Sequence, residues 1–459
     1  MARREDVTRA LAEWIVGCQL VDIPESVQKE GVRSFVNWLG CAVGGASHET
    51  VDRALDGVAP FSGPQKATVL GRTERLDALH AALLNGISSH VLDYDDTHLK
   101  TIIHPAGPVA SAALAVAELK DLSGQDVLHA LILGIEAECR IGNSVYPDHY
   151  DRGWHITGTT GVFGAAVAVG KLLGLDAQRM TWALGIAATQ SSNLREMFGT
   201  MTKSFHPGRA AQNGATAAFL AAAGFDSSES GIEGRRGFAH VLSTKQDYGQ
   251  ILDDLGTVWE AGLNSYKPFA CGIVIHPAID GCIQIRNEHA IRPEEVEAIE
   301  LKANPFVLEL TGKKEPRTGL ESKFSIFHAA ACALARGDGS PTAFTDEAAT
   351  DPVLVDLRRR VKVETDPAVR EDEVTIIVRT NDGRSVSKYV EHAIGSIHRP
   401  LSNEELDRKF LHQAALVIGE KRSRELLDMA WKLTDFRHAA EIAKASVPTP
   451  AAQPKEAAL

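Results

Sequence analysis

A helix that is apolar on nearly every side can fold only inside other helices. Residues Gly124 to Val145 read as such a helix, and Ala106 to Leu119, just before it, as a helix of mostly small residues. Two such neighbours require a helical body in which backbones approach closely. The 39 glycines and the low aromatic share of 6% suit that packing. With 44% hydrophobic residues, a chain of 459 residues can bury a large core and is expected to form two domains. Further helices are expected over Val7 to Cys18, Ser26 to Val43, Asp77 to Ser88 and Ala210 to Ala223. A short extended piece is expected at Thr68 to Leu70.

The pattern changes after about residue 290. Val296 to Ala303, Val361 to Glu364, Glu373 to Thr380 and Arg384 to Val390 read as strands, with a hairpin turn at Asn381-Asp382-Gly383. Lys323 to Ala335 is a helix among them, and Ser402 to Phe410 and Gln413 to Thr434 return to helix. The expected fold class is therefore mainly α, a large all-helical domain plus a smaller α+β lid domain. The expected division is helical domain 1–266, lid 267–398, returning helices 399–446 and a disordered tail 447–459.

The formal net charge of −12, with no basic run, argues against nucleic acid as a partner. No stretch of 18 apolar residues offers a membrane span. The six cysteines are scattered and form no C-x-x-C pair, so zinc and iron–sulfur sites lack a sequence basis. The opening MARREDVTRALAEW lacks the apolar run of a signal peptide, and a reducing, cytoplasmic setting is expected.

The chemistry concentrates in four stretches. Residues 90–104 hold His90, His98 and His104 with Asp93, Asp95 and Asp96, between two helices. Acids and bases at the mouth of a buried element suit proton transfer; the same residues also suit a capped polar loop. A polar, aromatic loop then enters a helix through His155, Thr157, Gly158, Thr159 and Gly161, whose backbone N–H groups could hold a carboxylate or phosphate. Close helix packing explains those glycines equally well. The G-T-T-G-x-x-G spacing and the lack of a preceding strand exclude a dinucleotide fingerprint. Lys203, His206 and Arg209 precede the expected helix at Ala210, where cations oppose the helix dipole and call for an anionic ligand. Lys267 and His276 repeat the theme.

Other classes compete. A magnesium-dependent terpenoid synthase would want D-D-x-x-D, where this chain has D-x-D-D and no second metal motif. A metal hydrolase could recruit His90, Asp93, His98 and His104. A non-catalytic binding protein would keep the basic clusters but need no paired histidines.

Five ordered motifs narrow the choice: H-V-L-D-Y-D-D-T-H with the following H-P, R-G-W-H-x-T-G-T-T-G-x-F-G-A-A, T-K-S-F-H-P-G-R-A-A-Q-N-G, Y-K-P-F-x-C-G-x-x-x-H-P-A-I-D, and S-K-F-S. In their order and spacing, over roughly residues 5 to 435, the chain resembles the MmgE/PrpD family. That family includes 2-methylcitrate dehydratase, cis-aconitate decarboxylase and iminodisuccinate epimerase. The resemblance implies a helical domain, a smaller lid, a site between them, a homodimer, and no metal or organic cofactor. It implies catalytic roles for Asp93, Thr97, His104, His155, Lys203 and Lys267, and substrate contacts from His206, Arg209, His276 and Lys323. His98 falls where the family varies, and Ile102-Ile103 are unusually apolar for it. The expected function is a cofactor-independent lyase of small di- or tricarboxylates, a 2-methylcitrate dehydratase-like enzyme; a cis-aconitate decarboxylase-like or epimerase-like activity is the alternative. The shared chemistry makes or quenches a carbanion next to a carboxylate. It needs a histidine near neutrality and cations for the carboxylates.

Overall fold

Ser123 and Asp126 form a capping box that starts helix Gly124–Asn143. In the computed structural model, which describes residues 6–449, this helix is enclosed by Glu25–Gly45, Ala106–Lys120 and Ile156–Leu172. Its apolar surface is thereby buried nearly all round, as its composition requires. Small residues set the spacing. A Cβ on Gly134 would stand 2.7 Å from the Gly164 carbonyl oxygen, and one on Gly86 would stand 2.5 Å from Gly208 Cα. Helices Ala78–Val91 and Met201–Ala222 therefore cross backbone against backbone.

That second helix corrects an expectation. It begins at Met201 and not at Ala210, runs through Pro207, and is capped by Thr200, whose Oγ1 accepts from Thr202 N. A proline inside a helix costs about 3 kcal/mol or more. Packing against Ala78–Val91 and Ile156–Leu172 outweighs that cost. Lys203, His206 and Arg209 thus lie within the helix. Two helices with clear caps were not anticipated, Glu49–Val58 behind His48 and Ala177–Ala188 behind Asp176.

The four expected strands form one sheet in the order Val361–Thr365, Val296–Ala303, Val374–Thr380, Ser385–Val390. The first pair is parallel and the others antiparallel, and Gly383 (φ +84°) turns the hairpin. Helix His276–His289 packs on the sheet and on Ile326–Arg336. One apolar core gathers Val7 to Tyr266 with Leu401 to Ala443; a second gathers Phe269 to Val390 and includes Cys41 and Tyr94. Helix Asn403–Ile418 lies on Glu25–Gly45, and its Lys409 ammonium donates to Asn37 Oδ1 and to the Tyr94 carbonyl, both at 2.6 Å. The mainly α class is the one expected. Residues 450–459 of the expected tail lie outside the described residues, and 447–449 carry no helix. Among the described residues, no helix is long and apolar enough to cross a membrane.

One small element matters most for the site. Asp96–His98 pairs antiparallel with Asn264–Tyr266, in the register Asp96 to Tyr266, Thr97 to Ser265 and His98 to Asn264. The sequence reading had a polar turn here. The ladder brings the acidic stretch alongside Lys267, which follows the second strand directly.

Candidate active site

Asp93 sits just past helix Ala78–Val91 in the left-handed region, at φ +51°. Its Oδ1 receives Lys267 Nζ at 2.5 Å and Lys203 Nζ at 3.2 Å. All three side chains are buried. Burial alone would push the Asp93 carboxyl up, yet Lys203 and Lys267 outweigh it and hold the group well below the usual carboxylate range. Lys203 also donates to His90 Nε2 at 2.9 Å, and His90 Nδ1 meets Asp95 Oδ2 at 2.6 Å. The resulting chain is Asp95–His90–Lys203–Asp93–Lys267. An ammonium accepts nothing, so His90 Nε2 is the acceptor and its proton lies on Nδ1, toward Asp95. Each lysine spends two donors, Lys203 on His90 and Asp93, Lys267 on the Asp93 carboxylate and, at 3.3 Å, its carbonyl. One N–H per lysine is left for a ligand carboxylate.

His104 stands beside this chain. Its Nδ1 is 2.7 Å from the Asp96 carbonyl oxygen and 3.2 Å from Thr97 Oγ1. A carbonyl can only accept, so Nδ1 carries the proton and Nε2 keeps its lone pair. Burial, then the Lys267 charge, push this imidazole down to about 3. Asp96 is pushed up to about 7 by burial and by Asp95, while its Oδ2 accepts from Ala106 N and Asn264 Nδ2. It thus ties the start of the next helix to the short ladder. His155, at the head of Ile156–Leu172, shares one hydrogen bond with His206 between their Nδ1 atoms at 2.8 Å. One ring donates and the other accepts. Burial pushes both rings down, and the charge of the nearby Lys203 ammonium adds to it. Phe198 closes edge-on against His155, and Phe198 with Phe324 flank the Lys203 ammonium.

Asp93, His104, His155, Lys203 and Lys267 line one cleft, which leaves only about 30 Å³ free. Thr97 reaches it through His104, and His206 through His155. Lys323 lines an adjoining space that shares Asp93, Lys203 and Phe324 with the cleft, donating to the Leu92 and Ala270 carbonyls, with burial lowering it to about 8. Arg209 is not brought to the site: it is exposed and bonds Gln212 at 2.6 Å. His276 lines a neighbouring pocket. The glycines at 158 and 161 are filled by packing against Asn193 and Pro108. Sequence reasoning gave no site role to Asp95, Phe198 or Phe324, and considered His90 only as a ligand of the metal-hydrolase alternative. His90 and Asp95 were visible in the first motif; nothing marked the two phenylalanines.

His98 points elsewhere. Its Nδ1 meets Thr101 Oγ1 at 2.7 Å and its Nε2 meets Glu260 Oε2 at 2.8 Å. His98→Ala is expected to cost about 1–3 kcal/mol of stability, read by denaturant unfolding, because buried partners lose their bonds. Turnover per folded molecule should stay within about threefold of the parent, far from the loss expected of a proton-transfer group.

Nitrogens of His90, His104 and His155 lie within 4.8 Å of one another, a donor set that zinc could use. Yet His90 Nε2 is already taken by Lys203, and two buried ammonium groups face the same space. A dication there would meet like charge in a low dielectric.

Fold and site together define a mainly helical protein with a buried acid–base centre and paired cations suited to a carboxylate ligand. The chain belongs to the MmgE/PrpD family: the MmgE/PrpD N-terminal domain matches residues 9–251 and the MmgE/PrpD C-terminal domain residues 269–435. It is similar to the cis-aconitate decarboxylase of Aspergillus terreus, 26% identical with 97% of this chain and 98% of that one covered. It is equally similar, at 26%, to the cis-aconitate decarboxylases of Mus musculus (94% and 91% covered) and Homo sapiens (94% and 92% covered).

Proposed function

We propose that the protein is a lyase that decarboxylates a small unsaturated tricarboxylate of the cis-aconitate type. The decarboxylase alternative is preferred over the dehydratase expectation, because the full-length relatives named above are cis-aconitate decarboxylases. The observation that carries the reading is Asp93 bridging two buried lysines, each with a donor to spare, beside His104 with its free Nε2. Loss of CO₂ leaves an electron pair that delocalises toward a neighbouring carboxylate. The lysines stabilise that charge, and a histidine delivers the proton that quenches it. Asp93 and His90 set the lysines in place, and the Asp96 carbonyl with Thr97 sets the His104 tautomer.

Residues 267–398 act as a lid in this reading, since the free space of the closed cleft is too small for a tricarboxylate and must widen on binding. The active protein is proposed to be a homodimer. The test is product analysis by NMR in D₂O with cis-aconitate, citrate, 2-methylcitrate and iminodisuccinate. Consumption of cis-aconitate with CO₂ release and one deuteron incorporated is expected; water loss from 2-methylcitrate as the dominant reaction would restore the dehydratase reading. Turnover should also survive exhaustive chelation by EDTA. Activity lost on chelation and regained with a divalent ion would move the histidine cluster into a metal site.

A further inference from the structure

A third buried lysine lies behind the acid–base centre. Lys409 comes from the returning helix Asn403–Ile418 and is 5% exposed. Among the described residues no carboxylate lies within ion-pair distance of its ammonium, which donates instead to Asn37 Oδ1 and to the Tyr94 carbonyl, both at 2.6 Å. That carbonyl belongs to the peptide between Tyr94 and Asp95. It also accepts from the Cys41 thiol, 3.4 Å away. The ammonium stands 4.2 Å from the centre of the Tyr94 ring, and the Tyr94 hydroxyl donates to the Pro268 carbonyl at 3.2 Å, one residue after Lys267. Tyr94 is thus gripped at carbonyl, ring and hydroxyl. On one side of it in the chain is Asp93, which holds Lys203 and Lys267; on the other is Asp95, which holds His90. A lysine buried without a bonded counter-ion is a costly way to fill a core position. Burial pushes this one down to about 8, while Asp95 and Asp96 are among the groups that oppose the shift. It therefore remains a cation at neutral pH, a third ammonium behind the three carboxylates of the first motif.

We propose that Lys409 is a positioning residue of the reaction. Through the Tyr94 carbonyl it fixes the peptide that sets Asp95 against His90, and through the Tyr94 side chain it fixes the approach of Lys267 to Asp93. It touches no reacting atom. Helix Asn403–Ile418 follows the four-stranded sheet in the chain and lies on Glu25–Gly45, so the seating of that helix is coupled to the geometry of the centre. The inference rests on the reading of this centre as the place of reaction, but the coupling can be tested apart from it.

Lys409→Met keeps an unbranched stem and removes the charge and its donors; Lys409→Arg keeps both. For each variant, kcat and KM are measured per folded molecule with cis-aconitate, and folding is read by near-ultraviolet circular dichroism. The imidazole N–H proton that His90 directs at Asp95 Oδ2, 2.6 Å away, is read by NMR without substrate and assigned by its loss in His90→Gln. Lys409→Met is expected to lose at least about tenfold in kcat with KM within about threefold, because misplacement falls on the reacting step rather than on carboxylate binding. Its His90 resonance should shift from that of the parent. Lys409→Arg should hold kcat within about threefold of the parent and leave the resonance in place. Lys409→Gln, uncharged but still a donor, serves as the second variant should the first fail to fold, and should show the same loss and shift. A folded Met or Gln variant with kcat within about twofold of the parent and an unmoved resonance would overturn the inference. So would equal losses in the Met and Arg variants with the resonance unmoved in both, which mark a packing defect alone. If the parent turns over no cis-aconitate, the decarboxylase reading falls, and the His90 resonance still decides whether Lys409 sets the centre.

Discussion

His104→Ala is expected to lower kcat by at least about 10² while leaving the fold intact, the scale of a lost general acid–base group. The hydrogen bond from Nδ1 to the Asp96 carbonyl leaves Nε2 as the only ring atom free to handle a proton. Burial and Lys267 push this ring down to about 3, so it is neutral at pH 7 and poor at holding a proton. In the proposed reaction a tricarboxylate brings negative charge within a few ångströms and raises it again. The substrate therefore prepares the proton donor it needs. The alkaline limb of kcat, which reports the bound enzyme, should consequently lie at higher pH than that of kcat/KM, which reports the free enzyme. Deuterium uptake into product should vanish with the same substitution. Uptake that persists in His104→Ala and disappears in His155→Ala would transfer the role to the His155–His206 pair.

Asp93→Asn should have the largest effect on the fold as well as on turnover. Asparagine tolerates the left-handed backbone, so the change isolates the charge. Lys203 and Lys267 would then face each other, buried, without their shared counter-ion. Breaking a buried ion pair from one side costs about 3–5 kcal/mol. Denaturant midpoints measured against pH give the sign. The Asp93 carboxyl lies lower in the folded than in the unfolded chain, so the folded state binds fewer protons. Its stabilisation is fully present above the ordinary carboxylate range, near pH ~4, and is lost as pH falls toward the folded value. Asp93→Asn should flatten that acid slope. An unchanged slope would place the source of acid sensitivity in another carboxylate, with Asp95 the first to examine.

Much of the fold was legible because the signals were local. Ser123 with Asp126, Asp77 before its helix and Ser402 with Glu405 are caps written in adjacent residues. The strands after residue 290 showed their alternation, and Asn381-Asp382-Gly383 its turn. Met201–Ala222 was misjudged because Pro207 is a breaker by every local rule, and the helix runs through it because of its packing on Ala78–Val91 and Ile156–Leu172. The ladder Asp96–His98 with Asn264–Tyr266 is three residues long, too short to show a period, and its strands lie far apart in the chain. The site residues were found as types within motifs, not as a network. That His90 is committed at both nitrogens, or that Arg209 turns to solvent, depends on which face of a helix meets which neighbour.

The contact between Gly86 and Gly208 has a further consequence. His90 follows Gly86 by one helical turn, and Lys203 and His206 lie within two turns of Gly208. A crossing made of main chain has no rotamers to exchange, so the spacing of these groups does not change when surrounding side chains do. Laboratory evolution of this chain should therefore leave the two glycines alone, since a Cβ at Gly86 would stand 2.5 Å from Gly208 Cα and push the two helices, and the groups they carry, apart.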